Sequence, residues 1–308
     1  MTMATEKDNQ KEQTFYSYRS VAKCLSAGIS FLTDHFLHLV KLSLPVAIPL
    51  AVVLAASIYV SCDVKLLANP INLLMTEGVL TFLLVLLTAA FVGFVFNMIR
   101  MKSEELDLRT VRLKDAYKKP FFKLTVNAFV VSVIYMVVMS GFGWLMMKSM
   151  MREAHDMSEV VENIVGAILV LLIMIVLFVP TGFCLPNVEL GEGSLMKKFW
   201  KGYKVGWKKW AKLFAMTLVV GIIVGVVAIL LMSPAIVISL MQRNASLSLL
   251  EGDAVKLPSL FPVWEVVVLL VSTFLLTVLS WIQYLPLAYL YASVKEDMAE
   301  NKDGLPMI

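Results

Sequence analysis

Asp34, His35 and His38 form the one cluster of residue types that commonly act as acids, bases or metal ligands. His35 and His38 are three residues apart, so they would share a helical face and could bind a metal or exchange a proton. A metal site needs three or four ligands, however, and no other histidine falls on the same side of the predicted membrane. Cys24 would lie about 16 Å from His35 along a helix, too far for a nucleophile and its base. We interpret the cluster as a polar patch that faces lipid headgroups.

The segments that surround this cluster are strongly apolar. Hydrophobic residues make up 59% of the 308 residues and charged residues only 16%, with a mean hydropathy of +0.81, whereas soluble domains carry about 25% charged residues. Six stretches reach the roughly 17 to 25 residues that a membrane-spanning helix needs. These stretches are residues 42–60, 79–99, 124–147, 164–184, 213–241 and 264–292. We therefore predict an all-α fold, a polytopic membrane helical bundle with six transmembrane helices.

Ionisable side chains are almost absent from the predicted spans. The exception is Glu265, at the outer edge of the last span. Proton-coupled transporters and intramembrane metalloproteases keep acidic or histidine side chains at depth, so neither class is favoured. No phosphate-binding glycine loop, dinucleotide fingerprint or CxxC pair occurs either. We predict no catalytic residue, no metal site and no cofactor.

Three amide side chains within the spans could do more than join helices. Asn97, Asn127 and Gln283 would each hydrogen-bond between helices in the simpler interpretation, worth about 0.6 to 2 kcal/mol apiece. In the alternative interpretation they line a polar crevice for a lipid headgroup or a solute. Asn127 and Gln283 are near opposite ends of their spans, which weakens the alternative.

Residues 194–214 carry the most distinctive pattern of the chain. On a helix turning about 100° per residue, one sector holds its apolar side chains: Met196, Phe199, Trp200, Tyr203, Trp207, Trp210 and Phe214. A separate sector holds the lysines: Lys197, Lys198, Lys201, Lys204, Lys208, Lys209 and Lys212. Such a helix is typical of the boundary between lipid and water. We predict that these seven lysines, with Trp200, Trp207 and Trp210, bind anionic lipid headgroups rather than nucleic acid.

A Lys-Leu dipeptide begins every odd-numbered span, which indicates an internal repeat. The three copies are Lys41-Leu42, Lys123-Leu124 and Lys212-Leu213. A basic amphipathic segment precedes each copy, so the predicted unit is one interfacial amphipathic helix followed by a helical hairpin. The three repeats would be residues 16–100, 101–191 and 192–300 of a single membrane domain. Residues 1–15 would form a disordered cytoplasmic tail, and residues 301–308 a second tail.

Most of the 27 lysine and arginine residues fall in the segments on one side of the six predicted spans. Positive residues accumulate on the cytoplasmic side of a membrane. We therefore predict a multi-pass protein of the bacterial inner (plasma) membrane with both termini in the cytoplasm.

Pro180 and Pro286 lie in the returning helices of the second and third repeats. Each proline predicts a kink, either a packing bend or part of a cavity wall. With Lys212-Leu213 and the run Tyr284-Leu285-Pro286-Leu287, this order resembles a broad set of uncharacterised bacterial multi-pass membrane proteins. It is similar to the membrane domain that precedes the catalytic domain of some glycerophosphoryl diester phosphodiesterases. The likeness covers residue 16 to about residue 298, and since the catalytic domain is missing, it implies no hydrolase activity and no catalytic residue.

Two functions from different classes follow from these patterns. The first is a non-enzymatic integral membrane protein that engages anionic lipids and organises the envelope or supports a protein partner of unknown identity. The alternative is a transporter or lipid translocator that works through a crevice between the repeats.

Overall fold

The computed structural model describes residues 15–62, 70–104, 106, 108–150, 157–191, 193–251 and 257–300. These residues are almost entirely helical, and no strand occurs among them. The predicted all-α class is therefore confirmed for the described part of the chain.

Ten α-helices and two short 3₁₀ segments follow one another along the described residues. The first four helices are α1 Val21–Cys62, α2 Pro70–Ser103, α3 Leu113–Ala116 and α4 Lys119–Met150. The next three are α5 Met157–Phe178, α6 Cys184–Leu190 and α7 Leu195–Lys208. The last three are α8 Trp210–Glu251, α9 Phe261–Leu279 and α10 Trp281–Glu300. The 3₁₀ segments are Leu108–Thr110 and Val179–Phe183.

Six helical stretches are long and apolar enough to cross a membrane, as the hydropathy of the sequence predicts. They are Val21–Cys62, Leu74–Ser103, Pro120–Lys148, Val161–Leu190, Trp210–Ser248 and Phe261–Ala299. Each contains or overlaps one predicted span. The chain thus has the composition and helix lengths of a multi-pass membrane protein.

The first predicted interfacial helix is not a separate element. α1 runs through Lys41 and Leu42 without a break, although Pro45 and Pro49 lie in its interior. Before α4 the described residues form only the 3₁₀ segment Leu108–Thr110 and the short helix α3. Among the described residues, α7 is the one long amphipathic helix that stands apart from its span. The arrangement in three repeats stays a prediction.

α1 lies at the centre of the bundle. It packs against α2, α8, α9 and α10, and α2 packs in turn against α4. The fully buried indole of Trp281 meets the rings of Phe91 and Phe94 edge-on, with centroids 6.0 and 5.8 Å apart. Because α10 packs against α1, the last described helix closes the bundle on the first described one.

The hairpin of α4 and α5 is packed much less tightly. Only 6% and 11% of the most apolar stretches of these two spans are buried, against 44% in α1. α5 packs against α4 and against the 3₁₀ segment Val179–Phe183 that follows it. Much of the apolar surface of this hairpin is therefore left for lipid.

The two prolines in returning helices have different local structures. At Pro180 the helix tightens into the 3₁₀ segment, at the place where the kink is predicted. Pro286 lies inside α10, and the helical break in this region comes earlier, between Leu279 and Trp281. The backbone of Pro286 packs directly on Gly28 of α1, where a Cβ would come within 2.8 Å of the proline nitrogen.

Candidate functional site

The amphipathic helix α7 has three faces rather than two. Its aromatic face is open to the surroundings, since Met196 and Trp200 are each 54% exposed and Trp207 is 42% exposed. Its lysine face is exposed as well. The third face, formed by Lys198, Gly202 and Gly206, is buried. A narrow strip of α7, between the predicted aromatic and lysine sectors, therefore packs against the rest of the protein.

Glycine makes this third face possible. A Cβ on Gly202 would come within 2.7 Å of the Phe183 carbonyl oxygen and within 2.9 Å of the Cys184 Cα. A Cβ on Gly206 would overlap the Pro180 carbonyl. The backbone of α7 consequently lies directly on the 3₁₀ segment and on α6. Small residues four positions apart are a recognised pattern for close helix packing. The spacing of Gly202 and Gly206 could therefore have predicted this buried face from the sequence.

Lys198 is buried and hydrogen-bonds to the protein backbone. Its ammonium donates hydrogen bonds to the carbonyls of Val188 and Gly191, at the C-terminal end of α6. Carbonyls at this end of a helix have no partner within the helix, and a cation suits the negative end of the helix dipole. Burial lowers the pKa of Lys198 below its ordinary value, and the neighbouring Glu189 carboxyl raises it in part. Lys198 is thus not presented to lipid headgroups, contrary to the sequence prediction.

Two more of the seven lysines have protein partners. The ammonium of Lys209 lies 2.7 Å from the buried carboxylate of Asp297 in α10. Lys212 lies over the ring of Tyr18, 5.1 Å from its centroid. Both contacts join the α7–α8 junction to other parts of the chain.

The remaining four lysines line one shallow groove beside α7. This basic groove has a volume of about 510 Å³ and is formed by Met196, Lys197, Trp200, Lys201, Lys204, Val205, Lys208 and Met298. The four lysines are three and four residues apart, so their ammonium groups follow one edge of the helix. Within the described part of the chain, none of the four forms an ion pair. The groove combines unpaired positive charge with an apolar floor, which suits a phosphate attached to an apolar body.

Aromatic rings line α7 and the start of α8. Trp200, Tyr203 and Trp207 form an edge-to-face row with centroids about 6 Å apart. Trp210 differs from the other two tryptophans, because its indole NH donates a hydrogen bond to the Val176 carbonyl of α5. Its ring also stacks on Phe214, with centroids 4.9 Å apart. Trp210 therefore anchors the start of α8, whereas Trp200 and Trp207 remain exposed.

The structure does not bring the three crevice candidates together. Asn97 is 1% exposed, and its amide donates a hydrogen bond to the Ala116 carbonyl at 2.8 Å. Asn127 is half-buried on α4, where its side chain neighbours Glu189. Gln283 is exposed near the start of α10. A single crevice lined by all three residues is thus not present among the described residues.

Asn97 belongs instead to a set of three similar junctions. In each, a polar side chain of a returning helix bonds to backbone of a segment that precedes an odd-numbered span. The Asn187 amide donates to the Lys198 carbonyl. The Ser293 hydroxyl accepts from the Arg19 NH at 2.7 Å and donates to the Arg19 carbonyl at 3.0 Å. Asn187 and Ser293 were not singled out from the sequence.

Two of these residues, Asn187 and Ser293, could have been found from the sequence by their equal distance from a proline. Asn187 follows Pro180 by seven residues, and Ser293 follows Pro286 by seven residues. Asn187 also accepts a hydrogen bond from the Tyr291 hydroxyl at 2.6 Å. Through this bond α6, α7 and α10 share one buried polar connection.

The Asp34, His35 and His38 cluster does not form a catalytic arrangement. His38 contacts the Val111 carbonyl through Nε2 at 3.2 Å, and the His35 ring packs edge-on against Phe31. Asp34 is exposed. Among the described residues there is no group of three His, Cys, Asp or Glu side chains that could hold a metal ion.

Comparison of the chain with protein-family models, with curated proteins and with solved structures gives no match. The resemblance to the membrane domains of glycerophosphoryl diester phosphodiesterases therefore gains no support from these comparisons. The basic groove along α7 remains the arrangement with the clearest chemistry.

Proposed function

We propose that this integral membrane protein binds anionic phospholipid headgroups in the basic groove of α7. The main support for this proposal is the row formed by Lys197, Lys201, Lys204 and Lys208. These four lysines have no anionic partner among the described residues. The exposed Trp200 lies in the same groove. Its indole suits the interfacial layer, where an apolar ring and a polar NH are both accommodated.

The expected binding free energy is modest for each contact between a lysine and a headgroup, but substantial for the four lysines together. A lysine near an anionic membrane surface contributes about 1 kcal/mol. Four lysines on one edge would favour an anionic over a zwitterionic lipid by several such increments. In this proposal the protein is not an enzyme, and it organises the envelope or supports a protein partner.

The proposed placement follows from charge. Excess lysine and arginine near the N-terminus, around α3 and around α7 favours cytoplasmic termini in a bacterial inner membrane. The three polar junctions at Asn97, Asn187 and Ser293 support the proposed three repeats. The first two join a returning helix to the next incoming segment, and Ser293 joins the third returning helix to the segment before the first span. We also propose that the chain shares the helix order of phosphodiesterase membrane domains, without their activity.

The test compares thermal unfolding of purified protein with added phosphatidylglycerol or phosphatidylcholine. A ligand that binds the folded state raises its stability in proportion to the logarithm of its concentration over Kd. We expect phosphatidylglycerol to raise the unfolding temperature more than phosphatidylcholine does. Replacing the four groove lysines with Gln should remove that difference.

The matched control removes the same charge elsewhere, by Gln at the exposed Lys23, Lys41, Lys114 and Lys148. This control should keep the preference for phosphatidylglycerol. Equal stabilisation of the wild-type protein by both lipids would contradict the proposal, and so would an equal loss in both variants.

The second candidate function is a transporter or lipid translocator. The observation in its favour is the half-buried Asn127 beside the buried Glu189, a polar spot at the edge of an apolar bundle. Reconstituted vesicles would decide it, since a specific flux of solute or lipid is expected only from this function. Unchanged flux after Asn127→Ala and Gln283→Ala would exclude a crevice lined by those residues.

A further inference from the structure

An apolar cavity of about 610 Å³ separates the α4–α5 hairpin from α8 and α10. Its wall includes Tyr135 of α4, Phe178 of α5, Gly182 of the 3₁₀ segment, Phe214 and Gly221 of α8, and Leu287 of α10. This volume is within the roughly 300 to 1,000 Å³ of typical small-molecule sites. The loose packing of the hairpin leaves this space open.

Two of the four hydroxyl side chains in the wall, those of Tyr135 and Thr181, are committed to the protein backbone. The Tyr135 hydroxyl donates to the Thr181 carbonyl at 2.8 Å, and the Thr181 hydroxyl donates to the Phe178 carbonyl. None of the described residues that line the cavity is charged. A polar solute would therefore lose its hydration here without gaining equivalent hydrogen bonds.

The cavity opens sideways, towards the surface that faces lipid. Leu218 and Ile222 of α8 belong to its wall and are 50% and 58% exposed, and Ile175 of α5 is 36% exposed. All three lie within candidate membrane-spanning helices. The medium at this opening is therefore hydrocarbon.

One end of the cavity lies close to α7. Phe214 forms part of the wall, and its ring stacks on Trp210. Lys208, the last residue of α7, precedes Phe214 by only six residues, across the junction between α7 and α8. The cavity thus combines an apolar interior with positive charge near one end, which complements a phospholipid with an anionic headgroup.

We propose that this cavity holds one acyl chain of an anionic phospholipid, with the phosphate at the level of α7. The acyl-chain site rests on the cavity alone, whereas the preference for an anionic headgroup rests on the function proposed above. The two parts can therefore fail separately.

Gly221 and Gly225 provide a matched pair of variants on α8. An added Cβ meets nothing within 4 Å at either position, so the first atom of a larger side chain has room at both. Gly221 lines the cavity, and Gly225 does not. Gly221→Leu should fill the space that the acyl chain would occupy, while Gly225→Leu adds the same side chain one turn away.

The probe is phosphatidylglycerol that carries a diazirine in one acyl chain, activated by light in the reconstituted full-length protein. We expect label on the wall peptides, residues 174–186 and 214–222. Overfilling a packed site typically costs enough to lower occupancy about fivefold or more, so Gly221→Leu should reduce the label by that factor. Gly225→Leu should change it by less than about twofold. Met139→Trp fills the cavity from the α4 wall and should reproduce the loss.

Label spread evenly over the exposed faces of α4, α5 and α8 would overturn the proposal. Unchanged label in Gly221→Leu, or an equal loss in Gly225→Leu, would overturn it too. A phosphatidylcholine probe separates the two parts. If it labels the wall peptides as strongly as phosphatidylglycerol does, the acyl-chain site stands and the anionic preference fails.

Discussion

Gly206 of α7 lies directly on the backbone of Pro180, the proline of the 3₁₀ segment. A Cβ at Gly206 would come within 2.8 Å of both the Cα and the carbonyl carbon of Pro180, and closer still to its carbonyl oxygen. The proline lies where the regular helix tightens into the 3₁₀ segment, and the glycine leaves room for the backbone of that segment. Together they set α7 against the bundle, so the orientation of its lysine face depends on a residue without a side chain.

Gly206→Ala should therefore destabilise the protein. In an open helical position alanine would stabilise by up to about 1 kcal/mol, but here the added methyl clashes with backbone that cannot move aside. We expect a net loss of about 1 to 3 kcal/mol in the free energy of unfolding. Gly225→Ala is the control, because its Cβ meets open space and should leave stability equal or slightly raised. Unfolding in detergent micelles measures both, and equal effects would exclude the packing argument.

Lys197 and Lys198 are neighbours in sequence with opposite expected roles. Lys198→Met removes the ammonium that binds the Val188 and Gly191 carbonyls, so we expect a loss of about 1 to 3 kcal/mol of stability. Lys197→Met should change stability by less than about 0.5 kcal/mol, since this side chain is exposed. It should instead reduce the extra stabilisation by phosphatidylglycerol. The same pattern in both variants would contradict the division of α7 into a basic and a buried face.

Stability should also depend on pH through Lys198. Burial lowers the pKa of Lys198 in the folded protein, whereas an unfolded lysine titrates near about 10.4. Between these two values the unfolded chain holds a proton that the folded protein has released. The contribution of Lys198 to the free energy of unfolding therefore rises with pH across this window and is smallest below it. The difference in unfolding free energy between the wild type and Lys198→Met isolates this effect. It should increase with pH, and a flat or falling difference would contradict it.

The spanning helices could be predicted from the sequence because hydropathy and length alone decide which segments are able to cross a bilayer. The strong segregation of lysine and aromatic residues likewise located α7. Both features are local, so a single sequence contains them in full.

The parts that could not be predicted depend on contacts between distant segments. Lys198 lies at the edge of the lysine sector, and only the position of α6 reveals that it points inward. The continuity of α1 depends on the packing of four other helices around it, which overrides its interior prolines. Asn187 looks like any amide near a helix end until Tyr291, over a hundred residues away, is seen to bond to it.

The hydrogen bond between Tyr291 and Asn187 should be a coupled element of the bundle. Tyr291→Phe removes the donor and leaves the Asn187 Oδ1 buried without that partner, at a cost of about 1 to 3 kcal/mol. Asn187→Leu also removes the bond to the Lys198 carbonyl, so its cost should be larger. In the double variant the two losses should not add, and a coupling energy of about 0.5 kcal/mol or more is expected from unfolding measurements on all four proteins. Strict additivity would show that the two side chains act independently and that α10 is not tied to α6 through this bond.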